Sequence, residues 1–212
     1  MPEIIETTVY RLDELAEAAK DKARGWYREG AVSEDWYEFV YEDFAAIATM
    51  LGVQLKTQPV RLYGGGTRET PRIFFSGFWS QGDGACFEAS CRYQPGAVKA
   101  IRQHAPQDTE LHDIAETLQA IQRRNFFQLT ADVTHRGHYF HEYSIDIVVN
   151  REGPQPVMAE DEKWVAEALR DLARWLYRQL QREYEFHTSN AMIDEAILAN
   201  DYTFTEEGRR FG

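Results

Sequence analysis

Three histidines lie close together at His135, His138 and His141, around a predicted hairpin turn. Imidazole nitrogens are common zinc ligands, so these side chains could share a metal ion with a nearby carboxylate. Their spacing argues against such a site, because residues three apart on a regular strand point to opposite faces of a sheet. The sequence therefore predicts no cofactor, and the three histidines are only weak candidates for a metal site.

Acidic side chains on the predicted strands are a second source of chemistry. Glu88 and Asp132 could meet across a sheet and perform acid–base catalysis. No Ser-His-Asp order, Cys-His pair, nucleotide fingerprint or zinc-ligand set has its expected local context. A non-enzymatic protein is therefore the leading hypothesis, and a small-molecule or metal-dependent enzyme that uses the polar sheet face is the alternative.

The same polar sheet face could bind a protein. An aromatic patch rimmed by charge is typical of protein-binding surfaces. A second layer of helices over this face is the competing interpretation. The candidate binding residues on it are Phe74, Phe78, Glu88, Arg92, Asp132 and Asp146.

An acidic stripe on the second predicted helix is a further candidate. Glu34, Glu38 and Glu42 are spaced by four residues, which places them on one helix face. The stripe could present negative charge to a basic partner protein or imitate a polyanion and occupy a nucleic-acid-binding protein, or it could be an ordinary solvated face. The whole chain carries 35 acidic and 23 basic residues and a net charge of -12. Direct binding to nucleic acid is therefore disfavoured.

The segment from Ser80 to Gly84 predicts a tight turn between two strands. Gly82 and Gly84 are expected to supply positive φ angles, and Asp83 favours a chain reversal. An anion-binding nest or a cation at Asp83 is the competing interpretation, but one carboxylate is too few ligands for a metal.

Apolar residues recur at helical spacing in six segments, which must position these side chains. Ser33 is the expected N-cap of the second of them. The predicted helices cover residues 12–27, 33–51, 96–104, 109–124, 159–186 and 190–199.

Alternation and β-branched or aromatic content predict strands at 60–63, 73–79, 85–93, 127–133 and 143–149. In 85–93, the odd-numbered residues are expected to face the core, and the even-numbered ones, including Cys86 and Glu88, to face outward. The pattern predicts an α+β fold, with a largely antiparallel five-stranded sheet and helices packed mainly on one face. No linker interrupts the chain, so a single domain over residues 1–212 is expected.

The two cysteines, Cys86 and Cys91, are expected to be free thiols. On one strand they would lie about 16 Å apart on opposite faces, too far for a disulfide. Free thiols are typical of a reducing compartment. The sequence contains neither a secretion signal nor about 20 consecutive apolar residues, so a cytoplasmic protein without a membrane partner is expected.

Five segments resemble uncharacterised proteins that are common in tailed bacteriophages and prophages, some of which are labelled antitoxin-like. The segments are VYRLDEL, ARGWY, FFSGFWSQGDGACFEASCRY, LQAIQRRNFFQLTADVTHRGHYFHEY and YTFTEEG, and SGFWSQGDGACFE is the most specific part. The resemblance implies a phage-infected or lysogenic bacterial cytosol and supplies no catalytic residues. The expected function is protein–protein binding by an accessory protein, antitoxin-like or neutralising a host defence, with a host or phage protein as partner. The sequence does not determine the oligomeric state.

Overall fold

A computed structural model of the chain describes residues 6–30 and 35–212. A short 3₁₀ helix at Leu12–Glu14 precedes the first α-helix. The α-helices are α1 (Glu17–Gly30), α2 (Glu38–Leu51), α3 (Ala97–His104), α4 (Thr109–Arg124), α5 (Ala159–His187) and α6 (Asn190–Ala199). Helices over 109–124 and 159–186 are confirmed almost to the residue. The expected cap Ser33 lies outside the described residues.

The strands are more numerous than the sequence predicts, and the predicted strands 73–79 and 85–93 are replaced by shorter ones. They are β1 (Val53–Leu55), β2 (Thr57–Arg61), β3 (Thr67–Pro71), β4 (Ile73–Phe75), β5 (Ala85–Phe87), β6 (Ala89–Arg92), β7 (Leu129–His135), β8 (Ile145–Arg151), β9 (Thr203–Phe204) and β10 (Arg210–Phe211). The mixture of helix and strand confirms the predicted α+β class.

The largest sheet in the described residues has four antiparallel strands, in the order β1-β6-β7-β8. The other strands pair two by two, as β2 with β3, β4 with β5, and β9 with β10. The predicted five-stranded sheet is therefore wrong. The segment 85–93 does not run as one strand, since β5 pairs with β4 while β6 pairs with β1 and β7.

The break between β5 and β6 falls at Glu88, where three strand pairs meet. The backbone N–H of Lys56 donates to the carbonyl of Glu88 (2.8 Å), that of Glu88 to Arg72 (2.9 Å), and that of Arg72 to Lys56 (2.8 Å). Each of the three is the single residue between two consecutive strands. The break also overturns the predicted alternation, because Cys86 and Glu88 are both buried rather than exposed.

One face of the four-stranded sheet is buried and the other is exposed. Cys91 and Ala131 pair across β6 and β7 and are buried, while the neighbouring Asp132 is exposed on the opposite face. Helices cover the buried face, since Leu118 of α4 and Val165 of α5 line the same small cavity as Cys91 and Ala131. The alternation of burial follows from the two-residue repeat of a strand.

The chain divides into two compact units, one formed by residues 1–38 with 182–212 and the other by residues 39–181. The four-stranded sheet belongs to the second unit, as do the candidate binding residues Arg92, Asp132 and Asp146. The single domain over 1–212 stays a prediction.

The core of the second unit is built around Phe44 and Trp175. The ring of Phe44 lies 5.3 Å from that of Phe87 and stacks on that of Trp175 at 6.4 Å. Trp175 Nε1 donates to Asp108 Oδ2 (2.8 Å), and Asp108 Oδ1 accepts from the backbone N–H of Leu111 (3.0 Å). Asp108 therefore caps α4 and satisfies the indole donor, as buried polar groups require.

The core of the first unit joins the two ends of the chain. An isolated β-bridge pairs Tyr10 with Phe204, and α1 lies against α6. Its buried members are Leu12, Leu15, Ala19, Ala23, Ile193, Ile197 and Phe204.

Candidate functional site

The exposed side of the four-stranded sheet, called the open sheet face below, contains several of the predicted binding residues. Arg92 and Asp132 are exposed on its two central strands, and neither forms an ion pair within the described residues. They are diagonal neighbours, because Arg92 pairs with Thr130. Asp146 lies on the same face, where Arg136 Nη2 approaches its carboxylate at 2.9 Å. The face comprises Gln54, Ser90, Arg92, Thr130, Asp132, Thr134, Asp146, Val148 and Asn150.

Glu88 does not belong to a binding surface, contrary to the prediction. The residue is only 7% exposed. One carboxylate oxygen accepts from the backbone N–H of His135 (3.1 Å), and the other forms an ion pair with Arg72 Nε at 2.6 Å. Glu88 therefore holds the three-strand junction together. Asp132 is exposed on the open sheet face, whereas Glu88 is buried at the junction, and acid–base catalysis by this pair stays a hypothesis.

The two aromatic candidates, Phe74 and Phe78, are half-buried and pack against other rings of the protein. Phe74 stacks on His135 at 4.7 Å and on Phe140 at 5.7 Å. Phe78 lies 5.5 Å from Tyr177. The expected aromatic patch is therefore divided between two internal clusters, and it does not form one rim on the open sheet face.

The predicted turn at Ser80–Gly84 is stabilised by its own aspartate. Asp83 Oδ2 accepts from the backbone N–H of Trp79 (2.9 Å) and of Ser80 (2.6 Å), so this oxygen holds the turn together. Gly82 has the expected positive φ of 93°.

Gly84 serves the turn differently from the expectation, because its φ is not positive. A Cβ there would lie 2.5 Å from the Cα of His141. Close approach of two backbones is therefore what requires glycine at this position.

The three histidines do not form a metal site. His135 Nε2 lies 2.8 Å from the carbonyl of Tyr139, while His141 Nδ1 accepts from the backbone N–H of Tyr143 (3.0 Å). His138 is exposed. Across residues 6–30 and 35–212, no three His, Cys, Asp or Glu side chains are placed to hold a metal ion together.

The acidic stripe is present only in part. Glu34 lies outside the described residues, whereas Glu38 and Glu42 are exposed one turn apart at the start of α2. The neighbouring Asp43 contacts His104 Nε2 at 2.7 Å. Two glutamates of the stripe are therefore available to a partner.

The hairpin of β2 and β3 was not predicted as a site, although it is the most exposed pair of strands in the described chain. Arg61 and Arg68 flank its glycine-rich tip, where Tyr63 is fully exposed. A charge count could have found it, because residues 44–82 contain four basic residues and one acidic residue in a chain of net charge -12.

A small enclosed cavity lies between α4 and the buried face of the sheet. It holds about 20 Å³, room for about one water molecule. Its polar side chain Gln122 is satisfied by the backbone of Leu129, with which it exchanges hydrogen bonds of 2.7 and 3.2 Å. This cavity is a packing gap, far smaller than the hundreds of Å³ of a typical small-molecule site.

Comparisons with known proteins identify a family but no characterised relative. In the part of the chain that the structure describes, no helix has the length and apolar character needed to cross a membrane. No curated protein and no solved structure shows significant similarity to the chain. A family model described as "Domain of unknown function (DUF8835)" matches residues 36–190. Since the match covers more than half of the sequence, the chain belongs to this family of unknown function.

Proposed function

We propose that the protein is a non-enzymatic accessory protein of a phage or prophage, and that it acts by binding a host or phage protein through the open sheet face. The observation that carries the proposal is the exposure of Arg92 and Asp132 on the central strands. Each is a charged side chain without an ion-pair partner among the described residues, so each can pair with a partner without first breaking an ion pair.

The shape of the face favours a macromolecular partner. Its side chains stand on four adjacent strands, and strand spacing of about 4.8 Å makes such a surface broad and shallow. Val148, which is 49% exposed, supplies an apolar contact beside the charges. A mixture of apolar and polar groups is usual for non-obligate protein interfaces.

A basic partner protein fits the charge of the molecule. The net charge of -12 would attract a positively charged protein from solution and accelerate encounter. Glu38 and Glu42 add a local acidic surface. The bacterial cytosol and an antitoxin-like or defence-neutralising role rest on the resemblance of SGFWSQGDGACFE and the other segments.

The test is a charge exchange on the open sheet face. The double variant R92D/D132R reverses both charges and leaves the net charge unchanged. The matched control, R123D/D113R, makes the same exchange on α4, where both residues are exposed. Proteins captured from lysates of phage-infected cells are identified, purified and titrated against all three forms.

We expect the wild type and the control to bind the purified partner alike, and R92D/D132R to raise the Kd at least about tenfold, which is about 1.4 kcal/mol. Equal binding by all three forms would contradict the assignment to this face. If no purified candidate binds the wild type at a Kd below about 10 µM, the protein-binding function itself is wrong.

A further inference from the structure

The strand β8 forms a free edge of the four-stranded sheet. Arg136 N–H donates to the carbonyl of Ser144 (2.8 Å), and Glu152 N–H donates to that of Gln128 (2.9 Å). In an antiparallel pair the hydrogen-bonded positions recur every second residue, so the even-numbered residues of β8 bond to β7. The backbone groups of Ile147 and Val149 therefore point away from the sheet.

No strand in the described residues covers this edge, and no hydrogen bond there satisfies the N–H of Ile147 or Val149. Proteins usually protect edge strands by shortness, proline, lysine or a bulge. The opposite edge, β1, has only three residues. By contrast, β8 has seven residues in continuous register, contains no proline or lysine, carries charge only towards its ends at Asp146 and Arg151, and exposes Val148 at its centre.

We propose that β8 pairs with β8 of a second copy of this chain, antiparallel and about a two-fold axis at Val148, so that two four-stranded sheets become one. This interface is formed by the strand edge and not by the centre of the open sheet face, although Val148 lies at the border of both. A two-fold axis makes such a contact self-complementary, because each copy contributes the same residues.

The choice of register follows from side-chain pairing. With the axis at Val148, the outward backbone of Ile147 pairs with that of the partner's Val149, and both edges satisfy their hydrogen bonds. On the open face, Val148 meets its own counterpart, and Asp146 lies opposite the partner's Asn150, whose amide can donate to it.

Two neighbouring registers also pair the outward backbone groups of β8, but their side-chain pairs are less favourable. An axis at Val149 places Asp146 opposite the partner's Glu152, which sets two negative charges against each other. An axis at Ile147 places Asp146 opposite the partner's Val148, an apolar residue. Of these three registers, only the one with its axis at Val148 pairs valine with valine and the Asn150 amide with the Asp146 carboxylate.

Because β8 is complementary to itself in this register, a second copy of the chain is the partner that we propose for the edge. Ile147 and Val149 are already buried within one copy, at 9% and 7% exposed, so the second copy adds mainly backbone hydrogen bonds and the contact between the two Val148 side chains. Two copies of charge -12 repel each other, and salt screens this repulsion. Self-association should accordingly strengthen as salt is added, which is opposite to the behaviour expected for a basic partner.

A disulfide test reads the register directly. Residues in a non-hydrogen-bonded antiparallel pair have Cα atoms about 4.5 Å apart, within the range that a disulfide spans. We expect Val148→Cys to form a covalent dimer under mild oxidation. Asn150→Cys alone should not, because the two copies of residue 150 would lie about 14 Å apart along the strands. A mixture of Asp146→Cys and Asn150→Cys should form the mixed dimer.

Sedimentation equilibrium on the full chain provides the second measurement. The wild type should be dimeric in about 0.5 M NaCl, Val148→Lys should be monomeric, and Thr134→Lys, on the same face of interior strand β7, should remain dimeric. Circular dichroism establishes whether each variant is folded. If Val148→Lys is unfolded, the cross-linking of the cysteine variants tests the interface instead.

Three outcomes would overturn the proposal. One is a wild type that is monomeric up to about 100 µM at high salt. Another is covalent dimerisation that is equally efficient at positions 148 and 150. The third is Val148→Cys that cross-links to a captured foreign protein but never to itself, which would make the edge a site for another chain's strand.

Discussion

The guanidinium of Arg24 and the carboxylate of Asp194 form two parallel hydrogen bonds, each 2.7 Å long. The pair joins α1 to α6 although the two residues are 170 positions apart, and Arg24 is only 8% exposed. The hydrogen bond to Asp194 is the main cause that raises the pKa of Arg24 above its ordinary value. In the first unit, the apolar core and the Arg24–Asp194 ion pair therefore both connect the N-terminal part of the chain to its C-terminal part.

Arg24→Lys tests this connection, because lysine cannot donate two parallel hydrogen bonds to a carboxylate. We expect the free energy of unfolding to fall by about 1–3 kcal/mol in urea denaturation. Arg11→Lys is the control, since the ion pair of Arg11 with Asp13 is 3.8 Å long and exposed, and should change stability by less than about 0.5 kcal/mol. Equal effects of the two substitutions would contradict the structural role of Arg24.

Gly84→Ala should destabilise the second unit although its backbone conformation is open to alanine. The added Cβ would meet the backbone of His141, which cannot move aside as a flexible side chain could. We expect a loss of about 1–3 kcal/mol by chemical denaturation. Gly64→Ala, where no atom lies within 4 Å of the added Cβ, should leave stability nearly unchanged. A tolerated Gly84→Ala would show that the two loops are not in close contact.

The two thiols should be unreactive in the folded protein. Burial raises the pKa of Cys86 to about 12 and that of Cys91 to about 12. Since the thiolate is the reactive species, Ellman's reagent at about pH 8 should label neither cysteine in the native state. In about 6 M guanidinium chloride both should react. Rapid labelling of the native protein would mean that the segment around β5 and β6 opens readily.

The carboxylate of Glu167 should contribute a pH-dependent share of stability. Its hydrogen bond with Arg174 (2.7 Å) holds the pKa of Glu167 below its usual value. The contribution is therefore complete above the ordinary carboxyl pKa of about 4.3 and is lost as pH falls through the lower pKa of the folded state.

Glu167→Gln removes the titratable carboxylate and keeps a side chain of nearly the same size and shape. We expect the wild type to be the more stable form at about pH 6 and the difference to shrink as pH falls below about 4. Glu69→Gln, on the exposed hairpin, is the matched control and should leave the pH profile of unfolding unchanged. A difference between wild type and Glu167→Gln that is constant with pH would exclude the ion pair as its cause.

The α+β class and the two long helices could be predicted because their signals are local. The apolar spacing in 109–124 and 159–186 repeats every three to four residues, and the helices α4 and α5 follow it closely. The alternation in β7 and β8 likewise predicted which side chains are buried. The exposure of Arg92 and Asp132 was predictable for the same reason.

The roles of Glu88 and Gly84 depend on contacts with segments that are remote in the sequence. Alternation placed Glu88 outside, but the carboxylate is buried because Arg72 and the backbone of His135, both distant in sequence, meet it at the three-strand junction. Gly84 owes its identity to the backbone of His141 rather than to its own φ. Periodicity is a property of neighbouring residues and can be seen in the sequence. The strand break at Glu88 and the close approach of Gly84 to His141 depend on segments that are remote in the sequence and adjacent only in the folded protein.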